Sequence, residues 1–305
     1  MNLNIKIKNL NLKNPFIPAS GCFNYGLEAK KIYDITKWGA ILTKTTTLEP
    51  REGNNPPRLI ETPSGLLNSI GLANPGIEYF IKKIYPEYEK IDNLPPIILS
   101  IAGNSIDEYK KLIDITNNLS LIKAYEINVS CPNVKKGGVH FGIEPETIYQ
   151  LISETKKITN KIIITKLTPN VTDILKPSSA AIEAGSDALT LVNTFLGMSI
   201  NIKTKKPHFN NIQAGLSGPA IRPMALLRIY KVYEKYKNIP IIGVGGISNI
   251  NDVIEFLMAG ATAIQLGTIL FRFPDIVIKL IKELEKYLKD NNYPNIYNII
   301  GIANS

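Results

Sequence analysis

Short apolar runs recur along the whole chain, and each is bounded by Gly, Asn or Pro. Amphipathic patterns typical of helices occupy most of the intervals between them, including 105–118, 144–158, 219–236 and 249–258. Alternating strands and helices predict parallel pairing, and continuous apolar strands predict burial on both faces of the sheet. The eight runs are FIPAS (16–20), AILTK (40–44), PIILSI (96–101), AYEINVS (124–130), IIITKL (162–167), ALTLV (188–192), PIIGVG (240–245) and TAIQLG (262–267). Eight such units favour a closed (β/α)8 TIM barrel over an open sheet.

The length of 305 residues suits one barrel domain, 1–305, because such barrels take roughly 250 residues plus insertions. Period-two alternation over residues 3–12 predicts an N-terminal β-hairpin before the barrel. Two connections, 45–75 and 193–218, are longer than the roughly 15 residues usual for loops. Both follow strand C-termini, so they predict long active-site loops at the C-terminal face.

Charge and cysteine content restrict the partners and the compartment. The net charge is +9, but the lysines are scattered, which favours solvated helix faces over nucleic-acid binding. An anionic substrate, a phosphate-bearing cofactor or an acidic partner protein are the other uses of such charge. Two distant cysteines suggest neither a disulfide framework nor a metal site. With no secretory signal and no apolar run of roughly 18 residues, we expect a cytoplasmic protein without membrane contact.

Polar side chains cluster at the predicted strand ends, which converge on one pocket in a barrel. A lysine inside the apolar run IIITKL is costly to bury unless it meets an anion; the alternative is a register break that brings the amine to solvent. Two lysines and several asparagines suit a flat, anionic, hydrogen-bonding ligand. These polar residues are Lys44, Asn128, Cys131, Lys166, Asn193 and Thr194.

Two glycine segments leave the seventh and eighth strands, GVGGISN (243–249) and LGTILF (266–271). Glycines let backbone N–H groups approach phosphate oxygens, and barrels often bind phosphate with these two loops. Either segment alone could be a tight turn, but the pair predicts phosphate contacts at Gly245, Gly246, Gly267 and Thr268.

Cys131 stands at a strand end in NVSCPN, where flanking asparagines favour a ligand over a core. The alternative is a small buried hydrophobic residue, and packing is the preferred explanation for Cys22. In the segment 131–142, Gly137–Gly138 could be the hinge of a lid or an ordinary turn. Neither His140 nor His208 has an identifiable acid partner, so surface-loop positions are expected for both.

Taken together, these segments resemble the class 1 dihydroorotate dehydrogenases. The motifs are NPFIPASG (14–21), ILTKTTTLEPREGNNPPRLIETPSGLLNSIGLANPG (41–76), INVSCPN (127–133), ITKLTPNV (164–171), LVNT (191–194), LSGPAIRP (216–223) and the two glycine segments. The resemblance implies oxidation of dihydroorotate to orotate in pyrimidine biosynthesis, with bound FMN.

The resemblance also implies roles for individual residues. Cys131 falls on the catalytic base. The positions that line the flavin are Ser20, Lys44, Thr45, Ser100, Asn128, Lys166, Val192 and Gly218, with the four phosphate contacts Gly245, Gly246, Gly267 and Thr268. The positions that hold the substrate are Lys44, Asn68, Ser69, Ile70, Gly71, Leu72, Asn128, Asn133, Asn193 and Thr194. Ser100 departs from the family, which often has asparagine there; serine can still donate a hydrogen bond, so the departure weakens one flavin contact and not the assignment.

Within class 1, the stretch 51–76 looks closer to the NAD-linked class 1B than to the fumarate-linked class 1A. That form works with a second subunit that carries FAD and an iron–sulfur cluster, and two cysteines are too few for a cluster here. We expect a homodimer of this chain, or a heterotetramer with that subunit. The alternatives are use of fumarate, a dihydropyrimidine dehydrogenase-like activity on uracil, and an inactive barrel that serves as a scaffold.

Overall fold

The computed structural model describes residues 1–129 and 143–304. Its strands are β1 (Ile5–Ile7), β2 (Leu10–Leu12), β3 (Phe16–Pro18), β4 (Ile41–Leu42), β5 (Leu59–Thr62), β6 (Gly65–Asn68), β7 (Ile97–Ile101), β8 (Ile122–Asn128), β9 (Ile162–Lys166), β10 (Ala188–Leu191), β11 (Phe195–Gly197), β12 (Ile200–Asn201), β13 (Lys206–Pro207), β14 (Ala214–Ser217), β15 (Ile241–Val244) and β16 (Ala263–Leu266).

The α-helices are α1 (Gly76–Tyr79), α2 (Tyr85–Glu89), α3 (Ile106–Thr116), α4 (Pro145–Lys157), α5 (Leu175–Glu183), α6 (Arg222–Lys235), α7 (Ile250–Met258) and α8 (Ile276–Asp290). A π-helical segment, Phe80–Ile84, joins α1 to α2. Short 3-10 helices occupy Ala29–Lys31, Ile35–Lys37, Pro219–Ile221, Thr268–Phe271, Ile296–Asn298 and Ile302–Asn304.

The main sheet has eight strands in the order β3-β16-β15-β10-β9-β8-β7-β4, with parallel neighbours throughout. It closes where Gly39 N donates to Phe16 O at 2.9 Å, which joins β3 to the residues before β4. β7 and β9 are buried at every position, as strands covered on both faces must be. The expectation of a (β/α)8 barrel is confirmed, and all eight predicted strands are present.

The helices form where the sequence supplies a cap and an apolar face. Ser105 accepts from Glu108 N at the start of α3, whose buried Tyr109, Leu112 and Ile113 follow the helical spacing. Asn249 caps α7. The helices predicted over 105–118, 144–158, 219–236 and 249–258 are confirmed with slightly shorter bounds.

The predicted N-terminal hairpin is also confirmed, as β1 pairs antiparallel with β2. Its alternating Ile5, Ile7 and Leu12 are buried in the core. Lys8 in its turn forms an ion pair with Asp187 at 2.6 Å, and Asp187 directly precedes β10. The hairpin therefore lies at the N-terminal end of the barrel, opposite the strand ends where the site is expected.

The two long connections differ from the expected loops because they contain a second sheet of their own. Its order is β11-β14-β6-β5, and every pair is antiparallel. β6 comes from the first connection and β14 from the second, and they pair with Leu67 opposite Leu216. Leu67, Phe209 and Ala214 form a separate small core beneath this sheet. The two connections are therefore one folded unit at the C-terminal face of the barrel.

Candidate functional site

Three hydroxyl side chains join the C-terminal ends of the first three barrel strands. Thr45 Oγ1 lies 2.7 Å from Ser20 Oγ and 2.9 Å from Ser100 Oγ. Thr45 and Ser100 are buried, and Ser20 is half-buried. The structure therefore brings together three residues that the family resemblance predicts to line a flavin. These contacts explain a serine at position 100, because its hydroxyl forms a hydrogen bond with Thr45.

Lys166, at the end of β9, is buried inside the barrel. The alternative that a register break carries its amine to solvent is therefore wrong. Its Nζ lies 3.6 Å from Oε1 of Glu126 on β8, a carboxylate with no exposed surface. Sequence reasoning missed Glu126, although an acidic residue within the apolar run AYEINVS was an available signal. An internal anion thus accompanies the lysine.

Asn128 is buried at the C-terminal end of β8, in register with Lys166 on β9. Its carbonyl oxygen accepts a 2.9 Å hydrogen bond from the hydroxyl of Tyr109 on α3. Tyr109 is itself buried, so this hydrogen bond ties the C-terminal end of β8 to α3. This contact positions Asn128 beside Lys166 at the mouth of the barrel.

Lys44 and Cys22 lie in the same region as Lys166. Burial lowers the pKa of the Lys44 ammonium, against the opposing influence of the Cys22 thiol. Burial raises the pKa of Cys22 to about 11, although the charges of Lys166 and Lys44 act in the other direction. A thiol with this pKa stays protonated near neutral pH and cannot serve as a base there. Cys22 packs against the core, as expected for it.

The glycines predicted to contact phosphate fall into two kinds. Gly245 and Gly246 have φ values of +132° and +78°. A Cβ on Gly246 would lie 2.7 Å from Gly218 O and 2.8 Å from Arg222 N, so packing alone requires glycine there. A Cβ on Gly267 would meet only ordinary contacts, with Ala19 Cβ at 3.8 Å and Cys22 Sγ at 3.9 Å.

Because the neighbours leave room for a side chain at Gly267, packing does not explain the glycine. Its backbone, at φ −101° and ψ −118°, lies outside the regions that residues with a side chain favour, and the open space beside it leaves room for a phosphate to approach the chain. Thr268 begins the short 3-10 helix that follows, with its N–H at the start of that turn. Asn249 is the cap of α7, and Asp252 accepts from both Ser248 N and Asn249 N.

The segment 68–72 is held in one conformation by two asparagines that the sequence analysis missed. Asn54 donates to the Ser69 hydroxyl at 2.9 Å, and its backbone N–H donates to Ile70 O at 3.0 Å. Asn74 donates to Leu72 O at 2.7 Å. Gly71 and Leu72 both have positive φ, which turns the chain sharply. The segment is a preformed turn in which Ser69 is buried and Ile70, Gly71 and Leu72 are half-buried.

The side chains of Asn68 and Thr194 both lie against Gly215. A Cβ on Gly215 would be 2.3 Å from Thr194 Oγ1 and 3.0 Å from Asn68 Nδ2. Asn193 Oδ1 accepts from Thr194 N at 2.8 Å, and Asn170 donates to Thr194 O at 3.0 Å. The structure thus brings together predicted substrate residues from the two long connections. Asn170, which holds Thr194 in place, was missed by sequence reasoning.

Val192 and Gly218 also lie at the C-terminal end of the barrel. Val192 follows a cis peptide bond from Leu191, is buried, and donates its N–H to Val244 O at 3.1 Å. Gly218 has a φ of +93°, and a Cβ there would lie 2.7 Å from Gly65 Cα. Close packing of three glycines, at 65, 218 and 246, joins the small sheet to the predicted phosphate loop.

Several predictions fall on the segment outside the described residues. They are Cys131, Asn133, the lid 131–142 with its hinge Gly137–Gly138, and His140. His208 is half-buried on the chain after β13, and its Nδ1 lies 2.9 Å from Ser199 Oγ. Within 1–129 and 143–304, no three His, Cys, Asp or Glu side chains are grouped as metal ligands would be. No helix in the same ranges is long and apolar enough to cross a membrane.

Comparison with known proteins gives consistent matches over almost the whole chain. A sequence model of the dihydroorotate dehydrogenase family matches residues 2–288. The dihydroorotate dehydrogenase B (NAD(+)) catalytic subunit of Carboxydothermus hydrogenoformans is 50% identical over 303 residues, which cover 99% of this chain and 98% of that protein. The subunit of the same name from Thermoanaerobacter pseudethanolicus is 48% identical over 99% and 98%. A protein from Aquifex aeolicus named for form A (fumarate) is 46% identical over 99% of both chains.

Proposed function

Because the chain belongs to the dihydroorotate dehydrogenase family, we propose that it oxidises dihydroorotate to orotate with FMN and passes the electrons to NAD through a partner subunit. Family membership makes it an oxidoreductase that depends on a flavin. The resemblance to the NAD-linked class 1B enzymes is confirmed by the relatives that carry that name at 50% and 48% identity. The reaction belongs to pyrimidine biosynthesis, as the family membership implies.

The observation that carries the proposal is the convergence of cations and an open glycine at one end of the barrel. Lys44 and Lys166 both act electrostatically on Cys22, and Cys22 lies 3.9 Å from the position of a Gly267 Cβ. A phosphate-bearing, electron-accepting ring needs these groups together: glycine N–H groups for the phosphate and positive charge for the ring. FMN combines both parts in one molecule.

The described residues fit FMN as follows. Gly245, Gly246, Gly267 and Thr268 would hold the phosphate at the ends of β15 and β16. Lys166 and Lys44 would face the ring, where positive charge stabilises the electrons that it receives. The lining residues are Ser20, Thr45, Ser100, Asn128, Val192 and Gly218. When bound, FMN supplies a two-electron acceptor for the hydride that leaves C6 of dihydroorotate.

The substrate residues account for an anionic pyrimidine. Lys44 supplies a charge for the carboxylate. Asn68 belongs to one long connection and Asn193 and Thr194 to the other, and Asn68 and Thr194 meet at Gly215. The turn Ser69–Leu72 adds backbone groups held rigid by Asn54 and Asn74. Asn128 and Asn133 complete the set. Apart from Lys44 these side chains are uncharged, so they hold the ring edge without competing for the proton that must be removed.

Cys131 is the base in this proposal. Oxidation removes a proton from C5, and a thiol with an ordinary pKa of about 8.5 can be tuned to accept it near neutral pH. Cys22 cannot replace it, since burial raises the pKa of Cys22 to about 11. Closure of the segment 131–142 would bring the thiol to the substrate and exclude water.

The electron acceptor is tested by purified chain reconstituted with FMN, alone and co-expressed with a subunit carrying FAD and an iron–sulfur cluster. We expect dihydroorotate to reduce an artificial dye with the chain alone, and NAD only with the partner subunit. Reduction of fumarate by the chain alone would place it with form A instead. Size-exclusion chromatography with light scattering distinguishes the expected homodimer from the heterotetramer.

A further inference from the structure

Glu126 is a carboxylate in the interior of the barrel that the proposed reaction does not use. Its Oε2 accepts two hydrogen bonds, from Gln265 Nε2 at 2.7 Å and from Thr190 Oγ1 at 3.0 Å. Gln265 lies on β16, which is separated from β8 by three strands in the sheet order. The bond therefore crosses the barrel interior, and Glu126 sits at its centre rather than between the barrel and the helices.

The second oxygen of Glu126 has a different environment. Oε1 accepts no hydrogen bond from residues 1–129 or 143–304, and it lies 3.6 Å from Lys166 Nζ. This distance makes an ion pair without a direct hydrogen bond. Taking two charges out of water costs free energy, and apolar side chains of similar volume would stabilise the barrel as well as this ion pair does. The cost suggests a role beyond folding.

The position of the pair relates it to the site. Glu126 and Asn128 are two residues apart on β8, so their side chains lie on the same face, one layer apart. Lys166 is in register with Asn128 on one side and with Thr190 on the other. Lys166 therefore lies between the Glu126 carboxylate, which is deeper in the barrel, and the C-terminal mouth of the barrel.

We propose that Glu126 is a positioning residue that shares the Lys166 ammonium with the flavin and so limits how strongly Lys166 stabilises the reduced cofactor. This inference rests on the proposed function. In a medium of low dielectric constant, an anion 3.6 Å from a cation cancels much of the field that the cation exerts farther away. A flavin whose reduced form is stabilised less passes its electrons more readily to an acceptor of low potential, which suits an NAD-linked enzyme.

The test measures the midpoint potential of bound FMN by anaerobic equilibration with reference dyes, in wild type, Glu126→Gln and Glu126→Asp. Glu126→Gln keeps the shape and removes the charge, so the potential should shift to a more positive value. Glu126→Asp keeps the charge but opens a cavity of one methylene, so the potential should stay close to wild type while the melting temperature falls. A purely structural role predicts that Glu126→Asp disturbs the flavin at least as much as Glu126→Gln.

An unchanged or more negative potential in Glu126→Gln, or equal shifts in both variants, would overturn the inference. If Glu126→Gln does not fold, Gln265→Leu gives an independent test. It removes a donor to Oε2 and leaves the carboxylate charge less compensated, so the potential should become more negative; no shift or a positive shift would overturn the inference. Wild-type protein that binds no FMN would instead refute the proposed function.

Discussion

Asn68 and Gly215 join the two long connections, 45–75 and 193–218, at the mouth of the barrel, because Asn68 Nδ2 donates to the Gly215 carbonyl oxygen at 3.0 Å. The two residues are also directly opposite in the register of β6 and β14. A residue proposed to bind substrate therefore also fixes the distance between the segments that carry the other substrate residues. Loss of this amide should affect binding of dihydroorotate more than binding of FMN.

Asn68→Ala should raise KM for dihydroorotate by roughly tenfold, since a lost hydrogen bond of about 1.4 kcal/mol corresponds to that factor. FMN content should be unchanged. Steady-state kinetics with an artificial dye measures the effect. Asn210→Ala is the matched control, because Asn210 is exposed in the second insertion. An unchanged KM in Asn68→Ala would remove Asn68 from the substrate site.

Gly267→Ala and Gly246→Ala should distinguish a glycine needed for FMN binding from a glycine needed for packing. At Gly267 the added methyl finds room but the ψ of −118° disfavours a side chain, so the protein should lose less thermal stability than at Gly246 while FMN affinity falls by roughly tenfold or more. At Gly246 the methyl meets Gly218 O and Arg222 N at positive φ, so unfolding should become easier by about 1–3 kcal/mol. Fluorescence titration with FMN and thermal unfolding measure both quantities. Wild-type FMN affinity in Gly267→Ala would exclude a close phosphate contact there.

Cys131→Ala should abolish dihydroorotate oxidation at neutral pH and leave FMN bound, because the base for the C5 proton is lost. Cys22→Ala is the control. Its thiol, with a pKa of about 11, is already protonated at pH 7 and takes no part in proton transfer. Turnover in Cys22→Ala should therefore resemble wild type. Near wild-type turnover in Cys131→Ala would show that another group accepts the proton.

Asp187 should give the barrel a pH-dependent contribution to stability. Burial opposes ionisation of its carboxylate, but hydrogen bonds from Lys156, Lys8 and the Ile163 N–H outweigh burial and lower its pKa. A lowered folded-state pKa stabilises the fold above the unfolded value of about 3.9, and the contribution is lost as pH falls through the folded value.

Asp187→Asn should therefore lower the free energy of unfolding by about 1–3 kcal/mol at pH 7, the lower end being favoured by the exposure of Lys8. The difference from wild type should shrink as the pH approaches about 2. Urea denaturation across this pH range measures it. A difference that stays constant with pH would mean that the ionised carboxylate is not the stabilising group.

The barrel was predictable from sequence because its strands are continuous apolar runs, and such runs mark strands buried on both faces. The small sheet was not predictable. β6 (GLLN) and β14 (AGLS) contain glycine and polar residues, lie far apart in sequence, and are only partly buried. Their pairing depends on contact between two insertions, which no local pattern encodes.

The candidate site was predicted where residue type and strand end coincide, as at Lys44, Asn128 and Lys166. The residues that hold the site in place were missed, because their contacts form only when the chain is folded. Asn54 and Asn74 act by holding a turn, and neither lies at a barrel strand end. Glu126 was visible as an acid within an apolar strand, but its partners on β9, β10 and β16 appear only when the barrel closes.

An anaerobic visible spectrum of the FMN-reconstituted chain, recorded before and after addition of dihydroorotate, tests whether this barrel oxidises dihydroorotate. We expect dihydroorotate to bleach the flavin band without any partner subunit, because all the residues proposed to bind substrate and flavin belong to this chain. Dihydrouracil should leave the band intact. A flavin band that dihydroorotate leaves unchanged but dihydrouracil bleaches would contradict dihydroorotate oxidation and favour a dihydropyrimidine dehydrogenase-like enzyme.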